Sequence, residues 1–273
     1  MRPWQELTLL LAAEPAVLVR VAEVQGSGPR EVGAWMAVGR QALIGTIGGG
    51  HLEFEAMAQA RAILAVGAVT EPRRRFALGP SLGQCCGGVV GLDFALLGPA
   101  DIPGLKARLA DGEPRLPVAL FGGGHVGRAI VRLLAELPVE LQWFDSRDEI
   151  FPEPLPENVR AEYSDPVQAA VQDLAPGARV LIMSFSHAED LDIVAACLQR
   201  RRGRGDLPFI GLIGSKSKWA TFRHRLEARG FTAEELAGII CPIGVPGIGG
   251  KQPAVIAVAV AAQLLQQMQA PSP

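Results

Sequence analysis

The stretch Val118–Asp145, VALFGGGHVGRAIVRLLAELPVELQWFD, decides the fold of the second half of the chain. A short apolar run precedes three consecutive glycines, and a segment with helical periodicity and a second apolar run follow them. This order predicts a strand, a glycine turn, a helix and a strand. The motif Gly122-x-Gly124-x-x-Gly127 therefore stands where a nucleotide-binding β-α-β unit requires it.

Each position of this motif has a physical role. Gly122 allows the tight turn, Gly124 lets backbone amides approach a phosphate, and Gly127 permits contact between helix and strand. Asp145 closes the next strand at about the expected distance of 20 residues, where it could accept a hydrogen bond from a ribose hydroxyl. These residues and His125, which lies inside the motif, are candidates for cofactor binding.

The same alternation continues along the chain. ARVLIMSFS and PFIGLIGS are short apolar runs, and each is followed by a segment with helical periodicity. Short buried strands that alternate with helices predict a parallel, doubly wound sheet, and we place this Rossmann-like domain at residues 117–273. The fold class is α/β, with a smaller domain in front.

The sequence pattern of that smaller domain is different. AVLVRVAEV is rich in β-branched residues, and short strands and one glycine-preceded helix follow it, which predicts a small α+β domain at residues 1–98. Residues 99–116 have Pro and Gly at both ends and are predicted to be a linker.

Two adjacent cysteines, Cys85 and Cys86, lie in the glycine-rich segment LGQCCGG. A disulfide between them is disfavoured, because neighbouring Cα atoms are about 3.8 Å apart and disulfides usually need about 4.4–6.8 Å. They can be small hydrophobic residues, a reactive thiolate or a soft ligand. The other two cysteines, Cys197 and Cys241, are interpreted as buried, and no C-x-x-C pair is present.

Composition excludes some functions. The formal net charge of −2 argues against a nucleic-acid-binding protein, and aromatic content of 5% argues against stacking platforms for bases. The first apolar run has acidic flanks and is interpreted as a short amphipathic helix, not a signal peptide. The apolar tract near the C-terminus is too short to span a membrane, so a cytoplasmic protein is expected.

Two more glycine clusters precede helices. In IGGGHLE, flexible amides at Gly48, Gly49 and Gly50 could bind an anion, with His51 as a cap or ligand and Glu53 as a complement to the helix dipole. The segment before the last helix resembles a P-loop, but Val245 and Gln252 replace two required residues. Its Lys251 is a candidate for binding an acidic group or a phosphate.

The segment SFSHAEDLD contains Ser186, His187 and Asp190, which together suggest a catalytic triad. They are too close in sequence for triad geometry, and Ser186 is predicted to be a helix N-cap. The basic run RRRGRG, residues 200–205, is interpreted as a solvated loop.

Taken together, these motifs resemble the XdhC/CoxI family of xanthine dehydrogenase accessory proteins. The resemblance runs from residue 26 to the C-terminal helix, and it is carried by GSGPREVGAWMAV, GTIGGGHLE, LGQCCGG, the Val118–Asp145 stretch with its continuation, SFSHAEDLDI, FIGLIGSKSKWATFRHRL and CPIGVPGIGGKQPAVIAV.

The resemblance implies a chaperone for the molybdenum cofactor (molybdopterin). Such a protein holds the cofactor while a cysteine desulfurase installs its sulfido ligand, and delivers it to apo xanthine dehydrogenase, an enzyme of purine metabolism. Thiolates suit the soft molybdenum end, so Cys85 or Cys86, with Cys86 favoured, is expected to contact the metal. Gln84 is a candidate pterin partner, and Gly87 and Gly88 allow close approach of the backbone. Some CoxI-type relatives have Cys where His51 stands.

Alternatives from other classes remain open. An NAD(P)-dependent oxidoreductase would bind a nicotinamide nucleotide at Gly122–Gly127, although no catalytic residues are visible. An adaptor would bind the dehydrogenase with no small ligand. The Rossmann-like domain could also bind a separate nucleotide. A homodimer is expected only because symmetric pairs are the commonest oligomers.

Overall fold

A computed structural model describes residues 3–78, 88–110 and 115–269. The chain divides into residues 1–113 and residues 114–273, called here the N-terminal and C-terminal units. Each unit is built on its own sheet, of five strands in the first and six in the second. The α/β fold class, with a small first domain and a Rossmann-like second domain, is confirmed.

The N-terminal unit is an antiparallel sheet with helices on both faces. Its strands lie in the order β3-β2-β1-β5-β4. On β1, Val17, Val19 and Val21 pack with the long helix α2, whereas Leu18 packs with α1 and α3. The elements are α1 (Pro3–Ala13), β1 (Ala16–Gln25), β2 (Trp35–Val38), β3 (Leu43–Gly45), α2 (Gly50–Val66), β4 (Arg73–Ala77), β5 (Val89–Leu97) and α3 (Ile102–Ala110).

Part of the predicted linker is folded. A 3-10 turn at Pro99–Asp101 leads directly into α3, and Leu105 of α3 is buried against Leu7 and Leu11 of α1. Pro103 and Gly104, two of the residues that indicated a linker, stand in the first turn of this helix, where proline is tolerated. The apolar face of the helix is what attaches this segment to the N-terminal unit.

The C-terminal unit is a six-stranded parallel sheet in the order β11-β10-β9-β6-β7-β8. Helices α4 and α8 cover one face, and α5 and α6 cover the other. The elements are β6 (Leu116–Phe121), α4 (His125–Leu134), β7 (Val139–Asp145), β8 (Val159–Tyr163), β9 (Arg179–Ile182), α5 (His187–Arg204), β10 (Phe209–Leu212), α6 (Lys216–Glu227), α7 (Ala233–Ala237), β11 (Ile239–Ile240) and α8 (Pro253–Gln269).

Strand order locates the crevice of this sheet. The chain leaves β6 for β7 on one side and returns to β9 on the other, so the order reverses between β6 and β9. Ligands of open α/β sheets bind at such a reversal, beyond the carboxyl ends of the strands. The segments that follow β6, β7, β9 and β10 therefore meet at one edge.

The basic run at residues 200–205 is not a solvated loop. Residues 200–204 continue α5, and the helix ends at Gly205, whose left-handed φ is 67°. Arg200 has a fully buried side chain that pairs with Asp206 at 2.6 Å and donates to the carbonyls of Val171 and Leu174. This guanidinium can be buried because its N–H donors are hydrogen-bonded. A run of basic residues in the sequence does not show which of them has such partners.

Candidate functional site

The glycine turn between β6 and α4 is fixed by close backbone packing. Gly122 has a φ of 122°, and a Cβ there would overlap the carbonyl oxygen of Met183, which follows β9. A Cβ at Gly127 would overlap the carbonyl oxygen of Gly122. That oxygen also accepts a hydrogen bond from the buried Trp143 indole at 3.0 Å. The turn thus has room for glycine alone at both ends.

The turn is open at Gly124, where α4 begins. A Cβ built at Gly124 would meet nothing within 4 Å, and Gly124 and His125 are both exposed. The first amides of a helix have no partner inside the helix and carry the positive end of its dipole. The start of α4 can therefore accept an anionic group.

Asp145 is committed to holding this turn. Its carboxylate, only 2% exposed, accepts from the Gly123 amide at 2.6 Å and from the Arg147 amide at 3.0 Å. The Arg147 guanidinium donates to both oxygens, at 2.8 and 2.9 Å. Burial by itself would raise the pKa of Asp145, but these hydrogen bonds hold it below its usual value. The predicted ribose acceptor thus has both oxygens in use.

Segments after β7 and β9 are joined next to the turn. The Arg147 guanidinium lies over the ring of Phe185, 4.5 Å from its centroid, and Phe185 is 65% exposed. Glu189, in the first turn of α5, accepts from the Ser146 hydroxyl at 2.8 Å and from the Phe185 amide at 3.1 Å. A partly exposed guanidinium that is paired with Asp145 therefore lies over an exposed aromatic ring at the crevice.

A second cluster at the same edge was not anticipated from the sequence. Lys218 of α6 donates to the buried Asp190 carboxylate at 2.6 Å and to the Ile213 carbonyl at 2.9 Å. The Ser184 hydroxyl and amide, each at 2.8 Å, occupy the other oxygen of Asp190. Asp190 thus links the segments that follow β9 and β10. A prediction that β9 and β10 are neighbours in the sheet would have brought Asp190 and Lys218 to the same edge.

Ser186 and the two C-terminal cysteines have clear structural settings. Ser186 caps α5, because its hydroxyl accepts from the Glu189 amide at 3.2 Å, as predicted. Cys197 is fully buried, and burial raises the pKa of its thiol to about 12. Cys241 is not buried as predicted but only partly covered, near Ser215 at the carboxyl edge, and desolvation raises its pKa as well.

The triple-glycine turn of the N-terminal unit already binds a carboxylate. Gly48, Gly49 and Gly50 all have positive φ, at 116°, 74° and 67°. One oxygen of Glu53 accepts from the amides of Ile47 and Gly49, at 3.1 and 3.0 Å, and from the Thr46 hydroxyl at 2.6 Å. Glu53 therefore reaches back past the helix start and orders the turn.

Three family-like segments of the N-terminal unit converge. A Cβ on Gly48 would come within 2.5 Å of Pro29, and one on Gly88 would overlap the carbonyl oxygen of Ser27. The Leu78 amide donates to the Gly88 carbonyl at 2.7 Å, so β4 and β5 join the two ends of the cysteine segment. Gly88 is thus placed beside the GSGPR segment. The candidates Gln84, Cys85, Cys86 and Gly87 lie outside the described residues.

The two remaining candidates are exposed. His51 contacts Glu55 at 3.4 Å and stacks on Phe54, with a centroid separation of 6.3 Å. Lys251 is exposed in the glycine-rich segment before α8.

Within the parts of the chain that are described, no group of three or more His, Cys, Asp or Glu side chains could hold a metal ion. In those same parts, no helix combines the length and apolarity that crossing a membrane requires.

Comparisons with known proteins cover both units. Residues 118–264, more than half of the chain, match the model of the XdhC Rossmann domain, and residues 9–76 match that of the XdhC and CoxI family. The uncharacterized protein YqeB of Escherichia coli K12 is 26% identical over 262 residues. That match covers 92% of this chain and 43% of YqeB, so this chain spans less than half of its relative's length.

A crystal structure described as a xanthine dehydrogenase from Bacillus halodurans has the same fold. The two chains are 19% identical, the TM-score is 0.74, and the match covers 100% of this chain and 98% of the other. The likeness extends across both units, as do the matches to the family models. This chain belongs to the XdhC and CoxI family.

Proposed function

We propose that this protein is an accessory factor for the maturation of xanthine dehydrogenase, and that it binds the molybdenum cofactor and delivers it to the apoenzyme. Membership of the family supports the accessory role. One observation carries the cofactor proposal: Gly88, at the end of the cysteine segment, packs directly on the turn that also contacts the triple-glycine segment. Two glycines, Gly48 and Gly88, thus border the segment that contains Ser27 and Pro29, and Gly88 lies two residues after Cys86 in the sequence.

The cofactor has a soft molybdenum end and an anionic phosphate end, and we assign a different group of residues to each. Thiolates are soft ligands that suit molybdenum, and the adjacent Cys85 and Cys86 are the proposed contacts to the metal. The sequence tethers Cys86 to Gly88 through one residue. Gln84 is the proposed pterin partner.

Anionic groups fit the start of α4 better than the start of α2. The amides of Ile47 and Gly49 are already bound to Glu53, whereas the surroundings of Gly124 are open. We therefore propose that Gly124 and His125 bind a phosphate group. Asp145 and Arg147 shape the turn and do not receive the ligand directly.

We assign no catalytic residue to the protein. When bound, the cofactor supplies the molybdenum chemistry to the client enzyme, and this chain holds it and excludes water. A cysteine desulfurase acts on the bound cofactor, and the protein works in the cytoplasm as a homodimer. An NAD(P)-dependent oxidoreductase is disfavoured because the acidic residue that would bind a ribose is engaged with Gly123 and Arg147.

The proposal is tested by the content of the purified protein. The protein is isolated from its native host and denatured, and pterin fluorescence and molybdenum are measured. We expect both in equal amounts. The variants Cys85→Ala and Cys86→Ala are then compared for cofactor content and for the xanthine oxidation recovered when the protein is added to apo xanthine dehydrogenase.

Cys241→Ala is the matched control, since it removes a partly exposed thiol from the other unit. It should retain the cofactor and the delivery activity. If wild-type protein contains neither pterin nor molybdenum, or if the double variant Cys85→Ala/Cys86→Ala delivers as well as wild type, the chaperone proposal is wrong. Binding of NADH or NADPH with turnover of a substrate would favour the oxidoreductase instead.

A further inference from the structure

A row of charged side chains crosses the N-terminal sheet. In the strand register, Asp93 of β5 lies opposite Arg20 of β1 on one side and opposite Arg73 of β4 on the other. Residues directly opposite on adjacent antiparallel strands point to the same face of the sheet. Leu18, two residues before Arg20, packs with α1 and α3, so this row lies on the face that carries those helices.

The row opens into a cavity of about 480 Å³. Arg20, Arg73 and Asp93 form part of its wall, and Arg108 of α3 adds a third guanidinium. Leu18 and Pro72 contribute apolar surface. The cavity thus combines three cations, one anion and an apolar wall, and every one of these residues belongs to the N-terminal unit.

Two of the three guanidinium groups have donors available. Arg73 is paired with Asp93, at 2.5 and 2.8 Å, and this bond keeps the pKa of Asp93 low. Arg20 is near enough to lower that pKa further, yet its guanidinium makes no hydrogen bond to any described residue. Arg108 approaches Asp101 only at 3.9 Å. The cavity therefore has positive charge that its own carboxylate does not neutralise.

We propose that this cavity binds an organic phosphate monoester, with Arg20 and Arg108 as the ligands of the phosphate and Leu18 and Pro72 as the wall for its organic part. Guanidinium groups bind phosphate through paired N–H donors, and the phosphate can accept from both Arg20 and Arg108, whose donors are not used in short hydrogen bonds. Arg73 is held by Asp93 beside them and adds a third positive charge.

This site is separate from the proposed cofactor contacts. Asp93 lies five residues beyond Gly88 on β5, which corresponds to about 17 Å at ~3.3 Å per residue. The residues that the structure places on the cavity wall lie on β1, on β5, in α3 and at the start of β4, and none of them is a proposed contact of the cofactor. Binding here therefore stands or falls independently of molybdenum cofactor binding.

Isothermal titration calorimetry with phenyl phosphate tests the proposal on the full chain at low ionic strength. Wild-type protein should bind it, and Arg20→Gln and Arg108→Gln should each weaken binding at least tenfold. Inorganic phosphate should bind more weakly because it lacks an apolar part, and phenol should not bind because it lacks the charge. Benzoate, a monoanion, should also bind more weakly than phenyl phosphate.

Arg61→Gln is the matched control. It removes the same charge from an exposed position on α2, which packs on the opposite face of the sheet. Its affinity should stay within twofold of wild type. Equal weakening of binding by all three variants would indicate general attraction by surface charge. Unchanged affinity of Arg20→Gln would show that the phosphate binds elsewhere. Either result overturns the proposal, as does the absence of binding to wild type at millimolar phenyl phosphate.

A wild-type crystal soaked with phenyl phosphate gives a test that does not depend on the folding of any variant. The phosphorus atom should lie within reach of the Arg20 and Arg108 guanidinium groups. Density for the ligand at another place, with this cavity empty, would refute the assignment.

Discussion

Replacement of Asp145 by asparagine is the sharpest test of how the glycine turn is held. The carboxylate accepts four hydrogen bonds, from the amides of Gly123 and Arg147 and twice from the Arg147 guanidinium. An asparagine of the same shape keeps one oxygen, but it turns an amide NH₂ group toward donors that then have no acceptor. At least two bonds to a charged group are lost, each with a contribution of about 1.5–3 kcal/mol.

Part of this loss is recovered by solvent. The Arg147 side chain is 36% exposed and can regain water after the substitution, whereas the hydrogen bond from the Gly123 amide is buried. We therefore expect Asp145→Asn to lower the free energy of unfolding by about 3 kcal/mol, at the lower end of the effect of breaking a buried ion pair. For a unit of this size the melting temperature should fall by roughly 6–12 °C.

The assay is urea unfolding followed by circular dichroism, with Asp148→Asn as the control. Asp148 is an exposed acid three residues away, and its loss should change the free energy of unfolding by less than about 0.5 kcal/mol. The pKa of Asp145 is lower in the folded protein than its ordinary value of 3.8. The stability that its charge supplies is therefore complete above that value and is lost as the pH falls through the folded-state pKa.

The difference between wild type and Asp145→Asn should accordingly be constant near neutral pH and shrink in acid. A change of less than about 1 kcal/mol at neutral pH would refute the view that this carboxylate holds the turn. A difference that persists unchanged in strong acid would refute its attribution to charge.

Three further outcomes follow from the C-terminal unit. In thermal unfolding, Gly127→Ala should destabilise the protein by more than about 2 kcal/mol, because the new Cβ would overlap the carbonyl oxygen of Gly122. The stability of Gly124→Ala should be within about 1 kcal/mol of wild type, because the space around Gly124 is open. Lys218→Met should cost about 3 kcal/mol, since it leaves a buried carboxylate without its cation, and urea unfolding measures it. Iodoacetamide followed by mass spectrometry of the native protein should leave Cys197 unmodified and label Cys241 slowly, because burial raises both thiol pKa values and only Cys241 is partly exposed.

The parallel sheet was predictable because its signals are local. The strands β6, β9 and β10 are short apolar runs, and each is followed by glycine or by a capping residue such as Ser186, which the structure confirms. The strand β8 was missed because its residues are partly exposed and lack a continuous apolar run. Helix α3 was missed for a related reason, since its proline and glycine concealed an apolar face that only α1 reveals.

Positions in the candidate site were predictable, but their hydrogen-bond partners were not. The glycine spacing placed Gly122, Gly124 and Gly127 where the structure has them, at the end of β6 and the start of α4. That Asp145 would bind the turn depends on Arg147 folding back over it, which no spacing rule contains. The pair of Asp190 and Lys218 is 28 residues apart in sequence and requires two neighbouring strands.

The carboxylate of Glu53 has a consequence for anything that binds the triple-glycine turn. Because the protein supplies its own anion to those amides, a guest anion enters only by exchange with a resident competitor. Its affinity is reduced by the free energy of that exchange, and its departure leaves no amide unpaired, since Glu53 returns to the same donors. A turn of this kind favours rapid turnover of its occupant over tight retention.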